Sequence, residues 1–158
     1  MKLSICLVLL GLFLSQASLG MGRKGDYIAS GGLGLMTSPT LVLLSPELEY
    51  VNSSDVMYGG LIQMGLGEGG VLSTITGKVR YEFGTHARVR PCVEAGLGLA
   101  LSSGLFESSV GVHILGGMGF DYLIEQKVSI GTMVRLNFAP PTKSFFLSWP
   151  IVIARFIM

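Results

Sequence analysis

The sequence predicts an all-β protein: an eight-stranded antiparallel transmembrane up-and-down β-barrel preceded by a signal peptide. Three observations lead there. The 158 residues are 49% hydrophobic and only 13% charged, with a mean hydropathy of +0.61, which favours a membrane class. After residue 20 no run of about 18 apolar residues is free of charges or glycine clusters, so no helix of spanning length is available. The chain alternates instead with period two in segments of about ten residues. A closed barrel of strands is the other structure that satisfies every backbone donor and acceptor in lipid.

Residues 1–20, MKLSICLVLLGLFLSQASLG, carry one cation, Lys2, then an apolar stretch from Leu3 to Leu14, then small and polar residues. This is the layout of a cleaved signal peptide, and the small residues place the cut after Ala17 or Gly20. A retained anchor fits less well, because the apolar run falls short of the ~20 residues a helix needs. The expected mature unit is a single barrel domain, 21–158. Cys6 leaves with the signal, so Cys92 stays alone and neither an internal disulfide nor a cysteine zinc cage is expected. Loss of Lys2 leaves ten basic and ten acidic residues, so no field for nucleic acid remains.

Strands are expected at 26–36, 41–51, 56–66, 71–83, 88–101, 109–122, 127–138 and 145–157. The fourth is the clearest: Val71, Ser73, Ile75, Gly77, Val79, Tyr81 and Phe83 share one face, and Leu72, Thr74, Thr76, Lys78, Arg80 and Glu82 the other. The fifth sets Val89, Pro91, Val93, Ala95, Leu97, Leu99 and Leu101 against Arg88, Arg90, Cys92, Glu94, Gly96, Gly98 and Ala100. The seventh sets Val128, Ile130, Val134, Leu136 and Phe138 against Lys127, Ser129, Gly131, Arg135 and Asn137. Between the strands stand turn formers, such as Thr37-Ser38-Pro39, Asn52-Ser53-Ser54-Asp55 and Pro140-Pro141-Thr142. Pro46 and Pro150 fall inside the second and eighth strands, where a missing donor is tolerated at bulges or edges. Trp149-Pro150 is read as a bulge or an entry bend.

An eight-stranded barrel is just wide enough inside for side chains. It has no room for roughly four to six sizeable apolar residues per strand, so the apolar face must look outward, unlike that of a soluble lipocalin-like barrel. A soluble β-sandwich is the main non-membrane alternative. With the N-terminus on the inner side, Tyr27, Tyr50, Tyr58, Tyr81 and Tyr122 fall at inner strand ends, while Phe106, Phe138, Phe145 and Phe146 fall near the other rim. Two aromatic girdles around an apolar band suit an outer-membrane barrel.

The segment Gly117-Met118-Gly119-Phe120-Asp121-Tyr122-Leu123, then a short turn and Val128-Ser129-Ile130-Gly131, resembles the penultimate hairpin of the small bacterial outer-membrane β-barrel family that includes the transmembrane domain of outer membrane protein A. The likeness is a pattern spread over 26–158. It implies a bacterial outer-membrane location, with export through the periplasm, contact with outer-membrane lipid and lipopolysaccharide, and handling by the barrel assembly machinery. The chain departs from the family at its end: Ala154-Arg155-Phe156-Ile157-Met158 places the aromatic two positions before the last residue. A monomer is expected.

The lumen-facing set is Glu47, Glu49, Lys78, Arg80, Glu82, Arg88, Arg90, Glu94, Asp121, Arg135 and Arg155, six basic and five acidic groups. Such balance favours an internal salt-bridge network over an ion-selective pore. A three-residue turn at Thr85-Ala87 would set Glu82 opposite Arg90 and Lys78 opposite Glu94. The outer half would be lined by Gly32, Gly34, Thr74, Thr76, Gly98, Ala100, Gly111, His113, Arg135 and Asn137. Lumen glycines on strands five to seven leave room there for a small pocket open to the outside, with His113, Arg135, Asn137, Thr74 and Thr76 as its polar members.

The expected function is structural, in envelope integrity, with a side-chain-filled lumen and no cofactor or metal. The alternatives are a narrow polar pore or small-ligand-binding barrel, and a lipid-modifying enzyme. The enzymatic reading has only Ser109 and Glu107 to join His113 on the adjacent rim, and His86 sits in a tight turn. Short outer loops at 37–40, 67–70, 102–108 and 139–144 argue against adhesion.

Overall fold

The computed structural model describes residues 22–37, 40–67, 70–84, 87–104 and 109–158. The proposed signal segment 1–20, His86, Phe106 and Glu107 lie outside them. Eight strands follow in order: β1 (Tyr27–Met36), β2 (Leu41–Val51), β3 (Val56–Gly67), β4 (Gly70–Glu82), β5 (Val89–Ser103), β6 (Ser109–Glu125), β7 (Val128–Ala139) and β8 (Lys143–Ile157). Each pairs antiparallel with the next, and β1 with β8, so the sheet closes into a barrel with no free edge. Closure continues past the last strand, where Met158 N–H donates to Tyr27 C=O at 2.8 Å. The barrel's two termini, the start of β1 and the end of β8, therefore lie at one end.

Alternation decides which face each residue meets, and here it is inverted relative to a water-soluble protein. Leu33, Val42, Ile75, Leu97, Val112, Met118 and Ile130 project outward and are exposed, while ten charged side chains are buried inside. A barrel immersed in lipid needs this distribution. The tyrosines gather at the end carrying the termini. Tyr27 pairs with Tyr50 and Tyr50 with Tyr58, and the Tyr27 and Tyr50 rings lie 5.4 Å apart. At the far end Phe138 and Phe145 are in contact at 4.7 Å. Phe146 does not join that girdle; it points inward and is buried.

The two internal prolines have different effects. Pro46 faces outward on β2, and no ladder pair forms with β3 between Leu44↔Met64 and Glu47↔Leu61, as its missing N–H requires. Pro150 faces inward next to a true bulge: Leu33 pairs with Val152 but Gly34 with Pro150. Ile151 and Val152 are consequently both exposed, and the inward phase of β8 changes from Phe146, Ser148 and Pro150 to Ile153 and Arg155. Gly34 permits the close approach. A Cβ there would run into the Trp149 carbonyl oxygen and lie 2.6 Å from Pro150 Cα.

The β4–β5 register differs from the sequence expectation by one pair. Arg80 stands opposite Glu94 and Glu82 opposite Cys92, because β5 begins only at Val89, after a connection from 83 to 88 with Gly84 at φ +66°. That connection also corrects the placement of Arg88. It precedes the strand, is exposed, and is not part of the lumen.

Candidate functional site

The interior is layered. At the end carrying the termini, Ile28, Val51, Met57 and Leu123 pack into an apolar layer joined by Ile157. At the far end Met36, Leu41, Leu43, Leu72, Ala100, Ala139 and Phe146 form a second. Polar side chains lie between. Five cations (Lys78, Arg80, Arg90, Arg135, Arg155) and five anions (Glu47, Glu49, Glu82, Glu94, Asp121) are buried there, none more than 6% exposed. Their formal charges cancel.

These ten groups form one connected network. Lys78 Nζ is 2.9 Å from Glu94 Oε2 and 3.0 Å from Glu49 Oε1, and it also donates to Glu47. Arg135 spans the same two carboxylates from the other side, with Nε to Glu94 Oε1 and Nη2 to Glu47 Oε1, each 2.5 Å. Arg155 links the lower tier: Nη2 reaches Glu49 Oε2 at 2.5 Å, and Nη1 reaches Glu82 Oε1 at 2.6 Å and Asp121 Oδ2 at 2.5 Å. Arg80 pairs with Asp121 and donates to Cys92 Sγ at 3.0 Å. Arg90 Nη1 lies 3.6 Å from Glu82 Oε2. Contacts expected between directly facing residues, Lys78 with Glu94 and Glu82 with Arg90, thus form along diagonals of the shifted register.

Above the ions sits a neutral cluster. Asn137 Oδ1 accepts from Gln63 Nε2 and from His113 Nε2, both at 3.0 Å, so His113 Nδ1 accepts the Thr76 hydroxyl at 2.7 Å. Asn137 Nδ2 donates to Ser148 Oγ at 3.0 Å. The Phe146 ring stacks on His113 with centroids 6.1 Å apart. Gln63 and Ser148 are additions to the sequence-derived set. Alternation on β3 could have identified Gln63, which shares the inward face with Met57 and Leu61.

Among the described residues the open outer pocket anticipated from the sequence is not formed. Thr74, Thr76, His113, Arg135 and Asn137 are all buried, under the far apolar layer. Lumen glycines do not leave space; opposing side chains or backbone occupy it. A Cβ at Gly117 would lie 3.1 Å from both Arg135 Cγ and Glu94 Cγ, and one at Gly96 would lie 2.7 Å from Thr76 Cγ2. Ser109, a proposed companion of His113, bonds instead to Ser102 Oγ at 3.0 Å.

No family model matches the chain, and no curated protein matches it in sequence. Solved structures do match in fold. Neisserial surface protein A superposes with a TM-score of 0.64 at 19% identity, covering 85% of this chain and 98% of its own. The N-terminal β-barrel domain of OprF from Pseudomonas aeruginosa gives 0.65 at 15%, covering 87% and 99%. The outer membrane enzyme PagL gives 0.54 at 17%, covering 82% and 98%. At such identities the likeness is one of fold, and it is the small-barrel fold expected from the sequence resemblance.

Proposed function

We propose that the protein is a small integral outer-membrane β-barrel with a structural role in the cell envelope, its lumen a closed, ion-paired plug. The layering carries this reading: ten charges that cancel, mutually paired, lie between apolar layers at the two ends. An ion entering that lumen would have to pass an apolar constriction and then displace paired charges, each step costing several kcal/mol. The outward apolar wall and the likeness in fold to outer-membrane barrels support the bacterial outer membrane as its location. In this reading the end with the termini faces the periplasm, outer-membrane phospholipid and lipopolysaccharide surround the wall, and the barrel assembly machinery inserts the chain as a monomer.

Two measurements test it. Purified protein in planar bilayers is expected to pass no steady current; a reproducible unitary conductance overturns the plug in favour of a narrow polar pore. In detergent, the band should change mobility on boiling, and the protein should fractionate with outer membranes; a soluble, heat-invariant chain overturns the membrane placement.

The fold is also that of an enzyme, PagL, so catalysis needs its own test. Support for a non-enzymatic reading comes from His113, whose ring nitrogens are engaged by Thr76 and Asn137 under an apolar cover. His113→Ala should leave lipid A composition unchanged in cells; an altered composition restores the enzymatic reading.

A further inference from the structure

The β6–β7 hairpin carries a feature outside the plug. A cleft of about 510 Å³ opens at its tip, lined by Arg88, Leu123, Ile124, Glu125, Gln126 and Lys127. A bulge creates it: Leu123 pairs with Ser129 but Glu125 with Val128, so Ile124 and Glu125 are turned outward in succession. Backbone bonds hold both flanks. The Arg88 carbonyl accepts Leu123 N–H at 2.8 Å, and the Lys127 carbonyl accepts Ile157 N–H at 3.0 Å.

The charges here behave unlike those of the lumen. Among the described residues Arg88, Glu125 and Lys127 form no ion pair, and all three residues line the cleft. Immediately beneath, Ile124 and Tyr122 are exposed on the outward wall, Tyr122 belonging to the tyrosine ring at this end. The site therefore joins an apolar wall to a polar rim, the depth at which lipid headgroups lie.

We propose that this cleft binds the headgroup of a zwitterionic phospholipid bearing a primary ammonium, of the phosphoethanolamine type. Its phosphate bridges Arg88 and Lys127, its ammonium donates to Glu125, and its acyl chains run along Ile124 and Tyr122. Charge complementarity selects this occupant. Two cations and one carboxylate in a single cleft match a phosphate joined to an ammonium, whereas a purely anionic headgroup would set Glu125 against like charge. The assignment rests on the membrane placement proposed above.

Native mass spectrometry of the detergent-purified protein tests it, titrating phosphatidylethanolamine, phosphatidylglycerol and phosphatidylcholine of matched acyl chains. Wild type should retain phosphatidylethanolamine most strongly. Arg88→Gln and Lys127→Gln should each weaken that binding about fivefold, the equivalent of one cation near a lipid surface. Glu125→Gln should weaken phosphatidylethanolamine while leaving phosphatidylglycerol equal or tighter. Equal retention of all three lipids, or variants that bind like wild type, overturns the proposal. Competition by inorganic phosphate at the lipid's own concentration overturns the lipid as its source. Heat-modifiable mobility is scored on every sample: a folded barrel without lipid preference rejects the headgroup site alone, while loss of that mobility in wild type rejects the membrane placement itself.

Discussion

Pro150 and Arg155 both point into the barrel although they stand five positions apart on one strand. Strict alternation would send one of them outward; the bulge between them, with Ile151 and Val152 both exposed, reverses the phase. Arg155 thereby reaches Glu49, Glu82 and Asp121, and without it three buried carboxylates would lose a shared cation.

Arg155→Ala should accordingly lower unfolding stability by about 3–5 kcal/mol, the usual consequence of breaking a buried pair from one side. Deleting Ile151 should be milder, since it removes the extra residue of the bulge and leaves both Pro150 and Arg155 on the inward face. Urea unfolding in lipid vesicles measures both; a loss below about 1 kcal/mol for Arg155→Ala would show that the carboxylates find other partners.

Gly34 and Gly31 offer a matched pair on one strand. A Cβ on Gly34 collides with backbone at the β8 bulge, whereas one on Gly31 meets nothing within 4 Å. Gly34→Ala should lose about 1–3 kcal/mol or fail to fold, as overpacking does, and Gly31→Ala should stay within about 0.5 kcal/mol of wild type. Equal effects in the same unfolding assay would show that the bulge is not held by close approach.

Cys92 is buried at 2% exposure beside Met133 and Ile153. A maleimide-polyethylene glycol reagent should leave the folded barrel unlabelled and add one label after denaturation. Because Cys6 is the other cysteine of the sequence, two labels on denatured protein from cell envelopes would show that the leader is retained, and one that it is removed.

Trp149 is the single tryptophan. It lies on the outward wall, half exposed, with its indole N–H donated to Thr132 Oγ1 at 3.0 Å. Its emission should shift to shorter wavelength on insertion into vesicles and be quenched by brominated acyl chains. Emission unchanged by either treatment would place this face in water and contradict the lipid-facing wall.

Much of this architecture is legible from residue order. The alternation of Val71–Glu82 and Val128–Ala139 marks strands whose observed ends differ from those expected by one residue. The same alternation separates Glu47, Lys78, Glu94 and Asp121 from their lipid-facing neighbours. Arg88 lies outside the lumen although it continues the alternation, because a pattern of side chains does not report where backbone pairing begins. The β4–β5 register moved by one pair for the same reason: the length of the connection at 83–88 sets it, and several lengths bring opposite charges together.

Residue order alone assigns the inside and outside of the wall, because opposite projection of successive side chains is a property of extended backbone and needs no partner. Tertiary structure alone decided what fills the lumen. The bulge that admits Arg155, the diagonal pairing of Lys78 with Glu94, the occupation of glycine gaps and the Phe146 cover over His113 each arise from residues far apart in the chain. Closure of the barrel brings them within reach, so that ten buried charges meet partners from distant strands.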